Sequence, residues 1–64
     1  MTEAQRRVLA RAASNERTGH ETTVRGSEHR TAKILTSRGW LDYCGRGTWQ
    51  VTEAGRAALS GRTT

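Results

Sequence analysis

The side chains with the clearest chemical capability in this sequence are cationic. Arg30 and Lys33 stand three residues apart, so on a helix both would project from one face. Arg46 lies between Gly45 and Gly47, residues typical of a tight turn, which would place its guanidinium at the tip of a loop. Guanidinium and ammonium groups bind phosphate and carboxylate oxygens. The pattern therefore predicts a surface that binds an anionic partner.

The overall charge supports the same interpretation. The 64 residues contain 11 Lys and Arg against 6 Asp and Glu, which gives a net charge of +5. All but one of the cations are arginine. An excess of this size in a small domain is typical of proteins that bind nucleic acid or another acidic surface.

Catalysis and metal binding have no support in the sequence. His20, His29 and Cys44 are too few and too scattered for a structural zinc site, which needs four ligands with at least one close pair. No nucleophile with a base at motif spacing, no carboxylate pair and no glycine-rich phosphate loop is present. We therefore predict no enzyme activity, no metal, no cofactor and no small-molecule substrate.

The cellular setting is predicted from what the sequence lacks. No apolar run approaches the ~20 residues that a bilayer requires, and the start lacks the apolar stretch of a secretory signal. A single cysteine cannot form an internal disulfide. We expect a cytoplasmic protein that does not bind membranes.

Two helices are predicted within the first 38 residues. The first covers residues 2–14, because Thr2 and Gln5 have capping-box spacing and apolar residues recur at helical period. The second covers residues 27–38, with Ser27 as its N-cap and Gly39 as a left-handed C-terminal residue. The intervening residues 15–26 are predicted to be irregular, with a short extended piece or one helical turn near Thr22–Val24.

A hairpin and a short helix complete the predicted α+β domain, which covers residues 1–64. Residues 40–51 alternate between apolar and polar types on both sides of the Gly-Arg-Gly turn. Residues 52–60 read as a helix capped by Thr52. Arg46 would then lie at the tip of the hairpin.

The predicted core is small. Its aliphatic members are Val8, Leu9, Val24, Ile34, Leu35, Leu41, Val51 and Leu59. Trp40, Tyr43 and Trp49 are expected to complete it, although aromatic side chains can also stack on unpaired bases. Core packing is the preferred interpretation because the domain has little else to bury.

Two segments resemble the winged helix-turn-helix family, particularly the multiple-antibiotic-resistance-regulator-like proteins. They are residues 31–41 (TAKILTSRGWL) and residues 51–59 (VTEAGRAAL), the second being similar to that group's Leu-Thr-x-x-Gly-Arg element. With the turn between them, the resemblance covers about residues 27–59. The family normally has a further helix before its recognition helix, for which residues 15–26 are barely long enough.

The resemblance implies double-stranded DNA binding by a small winged helix, such as a bacterial or phage transcriptional regulator or recombination accessory factor. The second helix would lie in the major groove and the hairpin would be the wing. The residues expected to contact DNA are Arg25, Ser27, His29, Arg30, Lys33, Ser37 and Arg46. The residues expected to support the phosphate backbone are Arg6, Arg7 and Arg11.

A second interpretation is a protein-interaction module, because winged helices also dock on proteins. The basic face would then bind an acidic protein surface. A homodimer is compatible with either function. Arg56 is expected to have a structural role, packing on the domain or pairing with Glu53 or Asp42.

Overall fold

The computed structural model describes residues 1–61, and this part of the chain forms an α+β domain of three helices and one three-stranded antiparallel sheet. The α+β class predicted from the sequence is confirmed. The elements are α1 (Glu3–Arg17), β1 (Thr22–Thr23), α2 (Glu28–Ser37), β2 (Leu41–Gly45), β3 (Thr48–Val51) and α3 (Glu53–Leu59).

Helix α1 begins as predicted and ends later. Thr2 and Gln5 form a capping box, in which each side chain bonds the other residue's backbone N–H. The helix continues past Ser14 to Arg17. Asn15 explains the extension, because its carbonyl accepts the N–H groups of Thr18 and His20 while its side-chain amide donates to Thr22 at 3.0 Å. Its polar groups therefore join the helix end to the strand that follows.

The segment between α1 and α2 forms a strand, and no helix lies within residues 18–27. Strand β1 pairs with β3, so the strand order is β1-β3-β2. Thr22 is 1% exposed, and its hydroxyl accepts the Asn15 amide. Val24, directly after the strand, is also buried. The extended piece expected near these residues is thus β1, an edge strand of the three-stranded sheet.

Ser27 occupies the N-cap position of α2 as predicted, but its side chain does not cap the helix. Ser27 has helical backbone angles and its side chain makes no capping hydrogen bond. The carboxylate of Glu28 instead accepts the N–H of Arg25 at 3.1 Å. At the other end Gly39 adopts a φ of 80°, as expected for a left-handed residue after a helix.

The hairpin has the register that the alternating pattern requires. Leu41 faces Val51 and Tyr43 faces Trp49, with a bulge between Tyr43 and Gly45. The loop residues Arg46 and Gly47 both have positive φ, 58° and 72°, which is the pattern of a type I′ turn. Arg46 consequently lies at the tip, between the two strands.

Helix α3 packs closely because of the Thr-x-x-Gly element. The Thr52 hydroxyl accepts the Gly55 N–H at 3.0 Å and donates to the Gly39 carbonyl at 2.6 Å. A Cβ on Gly55 would collide with the backbone carbonyl of Trp40 and press against Val51. The threonine caps the helix, and the glycine allows it to lie against the start of β2.

The core lies between α1, the inner face of the sheet, and one side each of α2 and α3. Its buried apolar residues are Val8, Leu9, Ala12, Val24, Ala32, Leu35, Leu41, Trp49, Val51 and Ala58. The predicted core positions of Ile34 and Tyr43 are wrong, because these residues are 39% and 54% exposed. Trp40 and Leu59 are partly buried against the core.

Candidate nucleic-acid interface

A groove of about 850 Å³ runs between α2 and the hairpin. We call it the α2–hairpin groove. Four of the predicted DNA-contacting side chains line it, all from the exposed face of α2. The full lining is His29, Arg30, Lys33, Thr36, Ser37, Tyr43, Gly47 and Trp49. The structure therefore brings these four side chains together with the hairpin. From the sequence, this proximity is expected only because of the resemblance to winged helices.

Aromatic residues form the floor of this groove. Trp49 is only 7% exposed and its ring lies 5.9 Å from that of His29 in an edge-to-face arrangement. The Tyr43 ring lies 5.0 Å from the Trp49 ring. Such contacts hold the helix wall and the hairpin wall at a fixed separation. The predicted core role of Trp49 is confirmed, and His29 has a packing role in addition to being exposed.

Tyr43 is one of four groove residues outside the predicted contact set, the others being Thr36, Gly47 and Trp49. The Tyr43 hydroxyl accepts the N–H of Gly47 at 3.2 Å, which ties the phenol to the turn. Alternation along β2 correctly assigns it to the inner face of the sheet with Leu41. The alternation cannot show that α2 covers Leu41 but stops short of Tyr43. One signal was available: Tyr43 is the inner-face residue nearest the turn.

The cations of the groove have no carboxylate partner within residues 1–61. Arg30 and Lys33 are exposed on the α2 wall, and neither forms an ion pair there. Arg46 is exposed at the hairpin tip and is likewise outside the three ion pairs of the described chain. No aspartate or glutamate lines the groove. The positive charge on this side is therefore available to an anionic ligand.

The other predicted contact residues lie around the start of α2. Arg25 and Ser27 are exposed in the turn before the helix. Neither lines the groove, whereas Ser37 does so from the last turn of α2. The predicted contact set thus extends along the exposed side of α2 from its preceding turn to its last residue.

The three α1 arginines predicted to support the phosphate backbone have different surroundings. Arg6 is exposed and outside the ion pairs of residues 1–61. Arg7 pairs loosely with Glu3, one helical turn away, at 3.4 Å. Arg11 binds Glu28 with two hydrogen bonds of 3.0 and 2.9 Å. Arg6 and Arg7 are accessible to a phosphate, whereas Arg11 uses three of its five N–H donors within the protein.

Two titratable groups near the site are perturbed. The hydrogen bonds from Arg11, and then from the Arg25 N–H, lower the pKa of Glu28 below 4.5. Cys44 is exposed, and local desolvation of its sulfur, with the nearby Glu21 and Asp42 carboxylates, raises the pKa of its thiol. Glu28 therefore remains ionised at neutral pH, and the Cys44 thiol remains protonated, which is the unreactive form.

A second groove lies between α1 and α3. We call it the α1–α3 groove. It is lined by Ala13, Glu16, Arg17, Arg56, Leu59 and Ser60. Arg56 pairs with Glu16 across it at 2.6 Å. The expected structural role of Arg56 is supported, but its partner is Glu16 rather than Glu53 or Asp42.

The chain matches no protein-family model, no curated protein and no solved structure. Across residues 1–61, no three His, Cys, Asp or Glu side chains gather into a cluster that could hold a metal ion. In the same residues, no helix combines the length and the apolar character needed to cross a membrane. The site must therefore be interpreted from its own geometry and charge.

Proposed function

We propose that this chain is a small winged-helix protein that binds double-stranded DNA, with α2 in the major groove and the hairpin as the wing. The element order supports this proposal: helix, strand, helix, then a hairpin whose second strand pairs with β1. In such a fold one helix and one hairpin project on the same side. Here the α2–hairpin groove is that side.

The observation that carries the proposal is the charge of this groove. Arg30 and Lys33 line it without a carboxylate neighbour, and Arg46 stands at the tip of the same hairpin. Elsewhere Arg7, Arg11 and Arg56 are paired with glutamates. Arg6, Arg17, Arg25 and Arg38 are also exposed and outside these three pairs. The proposal therefore rests on the clustering of Arg30, Lys33 and Arg46 around one groove, which suits the negative charge of a nucleic-acid backbone.

The dimensions of α2 suit the major groove. Its 10 residues make a rod of about 15 Å, and the major groove, about 12 Å wide, admits one helix. Arg30 lies in the first turn of α2 and Lys33 in the second, where side chains of a groove-bound helix reach base edges or phosphates. Arg30 can bind guanine O6 and N7 with two hydrogen bonds, and Lys33 can bind a phosphate or a guanine.

The backbone of Arg46 gives further support. Its φ of 58° lies in the left-handed region, which costs a side-chain-bearing residue roughly 1 kcal/mol relative to glycine. Such strain is often retained where the side chain has a function. A guanidinium at a wing tip suits a narrow minor groove, whose negative potential attracts arginine.

A single domain of this size would bind weakly. A specific site would require two copies, as a dimer or on adjacent half-sites about 34 Å apart. The protein would then act as a transcriptional regulator or as an accessory factor in DNA recombination.

The proposal is tested by fluorescence anisotropy with a labelled random duplex between about 50 and 200 mM salt. About five phosphate contacts give a slope of log affinity against log salt of roughly −4 to −5. The triple variant Arg30→Gln, Lys33→Gln, Arg46→Gln should make that slope shallower by roughly 2 to 3.

Two results would contradict the proposal. Absence of duplex binding at the lowest salt would favour the alternative in which this face docks an acidic protein. Tighter binding to single-stranded than to duplex DNA, with quenching of Trp40 fluorescence, would indicate an aromatic stacking surface instead.

A further inference from the structure

Arg11 connects three elements of the domain from its position in the middle of α1. Its guanidinium donates to both carboxylate oxygens of Glu28, the first residue of α2, at 3.0 and 2.9 Å. It also donates to the carbonyl of Thr23 in β1 at 2.9 Å. Glu28 in turn accepts the N–H of Arg25 at 3.1 Å. The pair thus fixes α1, β1 and the start of α2 relative to one another.

Apart from the contact of the His29 ring with Trp49, the start of α2 has few other attachments to the domain. Its buried apolar residues, Ala32 and Leu35, lie from the middle of the helix onward. In the first turn, residues 28–31, no side chain is buried, and only Glu28 and Thr31 are even partly covered. The side chain of Ser27 caps nothing. The Arg11–Glu28 pair is therefore the main polar connection that can set the direction of this end of the helix.

We infer that Arg11 and Glu28 are positioning residues, which orient α2 for DNA and do not themselves contact it. This inference rests on the proposed function, in which α2 enters the major groove. It replaces the predicted phosphate contact of Arg11, because three of that guanidinium's hydrogen bonds are made inside the protein. Misorienting α2 would move Arg30, two residues along the helix from Glu28, away from its DNA contact.

The variant Glu28→Gln distinguishes positioning from simple charge. Loss of a carboxylate raises the net charge from +5 to +6, since one negative charge is removed, and charge alone would then strengthen DNA binding. Positioning predicts weaker binding, by about fivefold. The matched control is Glu3→Gln, which removes the same charge and releases Arg7, but breaks a pair within α1 only. It should bind DNA as tightly as the original protein or slightly more tightly.

The variant Arg11→Lys gives a second, independent test. A phosphate contact would be kept by lysine, so affinity and salt slope would stay unchanged. Positioning predicts weaker binding with an unchanged salt slope, because the two-pronged bond to Glu28 cannot be made by an ammonium group. Lysine also keeps the charge of arginine, so Arg11→Lys tests the inference even if the Glu28→Gln variant does not fold.

Residual dipolar couplings of the backbone amides test the inference without DNA. In the folded variants, the couplings of α2 should no longer fit the orientation relative to α1 found in the original protein. Unchanged couplings, or Glu28→Gln binding DNA more tightly, would overturn the inference. If the original protein fails to bind duplex DNA while the couplings change as expected, the proposed function falls and the positioning of α2 by this pair stands.

Discussion

The two grooves of this domain have similar components, but only the α1–α3 groove contains a glutamate. Both combine apolar walls with arginine. In the α1–α3 groove, Glu16 neutralises Arg56 at 2.6 Å. In the α2–hairpin groove, Arg30 and Lys33 have no carboxylate beside them. A net charge of +5 thus says little about where an anion binds, because the positions of the glutamates decide which arginines are available.

The grooves also differ in what holds their walls together. In the α2–hairpin groove, the ring of Trp49 packs against the rings of His29 and Tyr43. The α1–α3 groove depends on the close approach of Gly55 to the Trp40 carbonyl, which sets the position of α3. An aromatic floor and a glycine contact can each be removed separately, so the comparison can be tested one groove at a time.

The largest effect is expected from Trp49→Ala. Removing a 7% exposed indole from the core should lower the free energy of unfolding by about 3–5 kcal/mol, as measured by urea denaturation followed by circular dichroism. Tyr43→Ala is the control, and it should cost much less because this ring is half exposed. A Trp49→Ala protein that folds normally but loses nucleic-acid binding would show that the indole is a contact and not the groove floor.

Gly55→Ala should disturb the packing of α3, which forms one wall of the α1–α3 groove. Intrinsic propensity favours alanine in a helix by about 1 kcal/mol, but the added Cβ would collide with the Trp40 carbonyl. We expect a net loss of about 2 kcal/mol in the free energy of unfolding, measured in the same way. Ala54→Gly, on the exposed face of α3, should cost only the propensity difference. A stabilised Gly55→Ala protein would contradict the close packing of α3.

Arg30→Gln and Arg17→Gln compare the grooves directly. Each removes one exposed arginine that lies outside the three ion pairs of residues 1–61, the first from the α2–hairpin groove and the second from the α1–α3 groove. Near 0.1 M salt, loss of one phosphate contact should weaken duplex binding about five- to tenfold for Arg30→Gln. Arg17→Gln should change it less than twofold. Equal losses of duplex affinity in the two variants would mean that binding depends on the net charge and not on the position of each arginine.

The smallest effect concerns the pH dependence of the free energy of unfolding, through Glu28 at the start of α2. Because the folded pKa of Glu28 lies below the ordinary value of 4.5, ionisation of Glu28 stabilises the folded state above that value. This stabilisation is lost as the pH falls through the folded pKa. In urea titrations from about pH 6 to about pH 3, Glu28→Gln should be less stable than the original protein by up to about 1 kcal/mol at the higher pH. The two should converge at the lower pH, and a constant difference would contradict the ionic nature of the pair.

Local rules were sufficient for much of the fold. Capping at Thr2 and Thr52, the left-handed Gly39, and the alternation across the Gly-Arg-Gly turn are set by neighbours within a few residues. These features follow from the sequence because each involves one turn or one strand pair. The α+β class followed from their order.

The features that the sequence could not predict depend on distant contacts. The sequence predicts Thr22 in a short extended piece or a helical turn, but its burial depends on Asn15, which satisfies its hydroxyl, and on β3, which pairs with its backbone. Arg11 reads as a surface cation until Glu28, 17 residues away, is found beside it. Ile34 and Tyr43 read as core residues, and only the packing angle of α2 shows that they are exposed. The sequence therefore suggested the α2 face of the site and missed Tyr43 and the positioning pair.

The most direct test of the central proposal is a two-dimensional NMR titration of the protein with duplex DNA at low salt. We predict that the largest amide shift changes fall in the turn before α2, along the exposed side of α2 and at residues 45–47. The α1–α3 groove, including the amides of Arg17 and Arg56, should change little. Shifts centred on that groove, or no shifts at saturating duplex, would contradict the account.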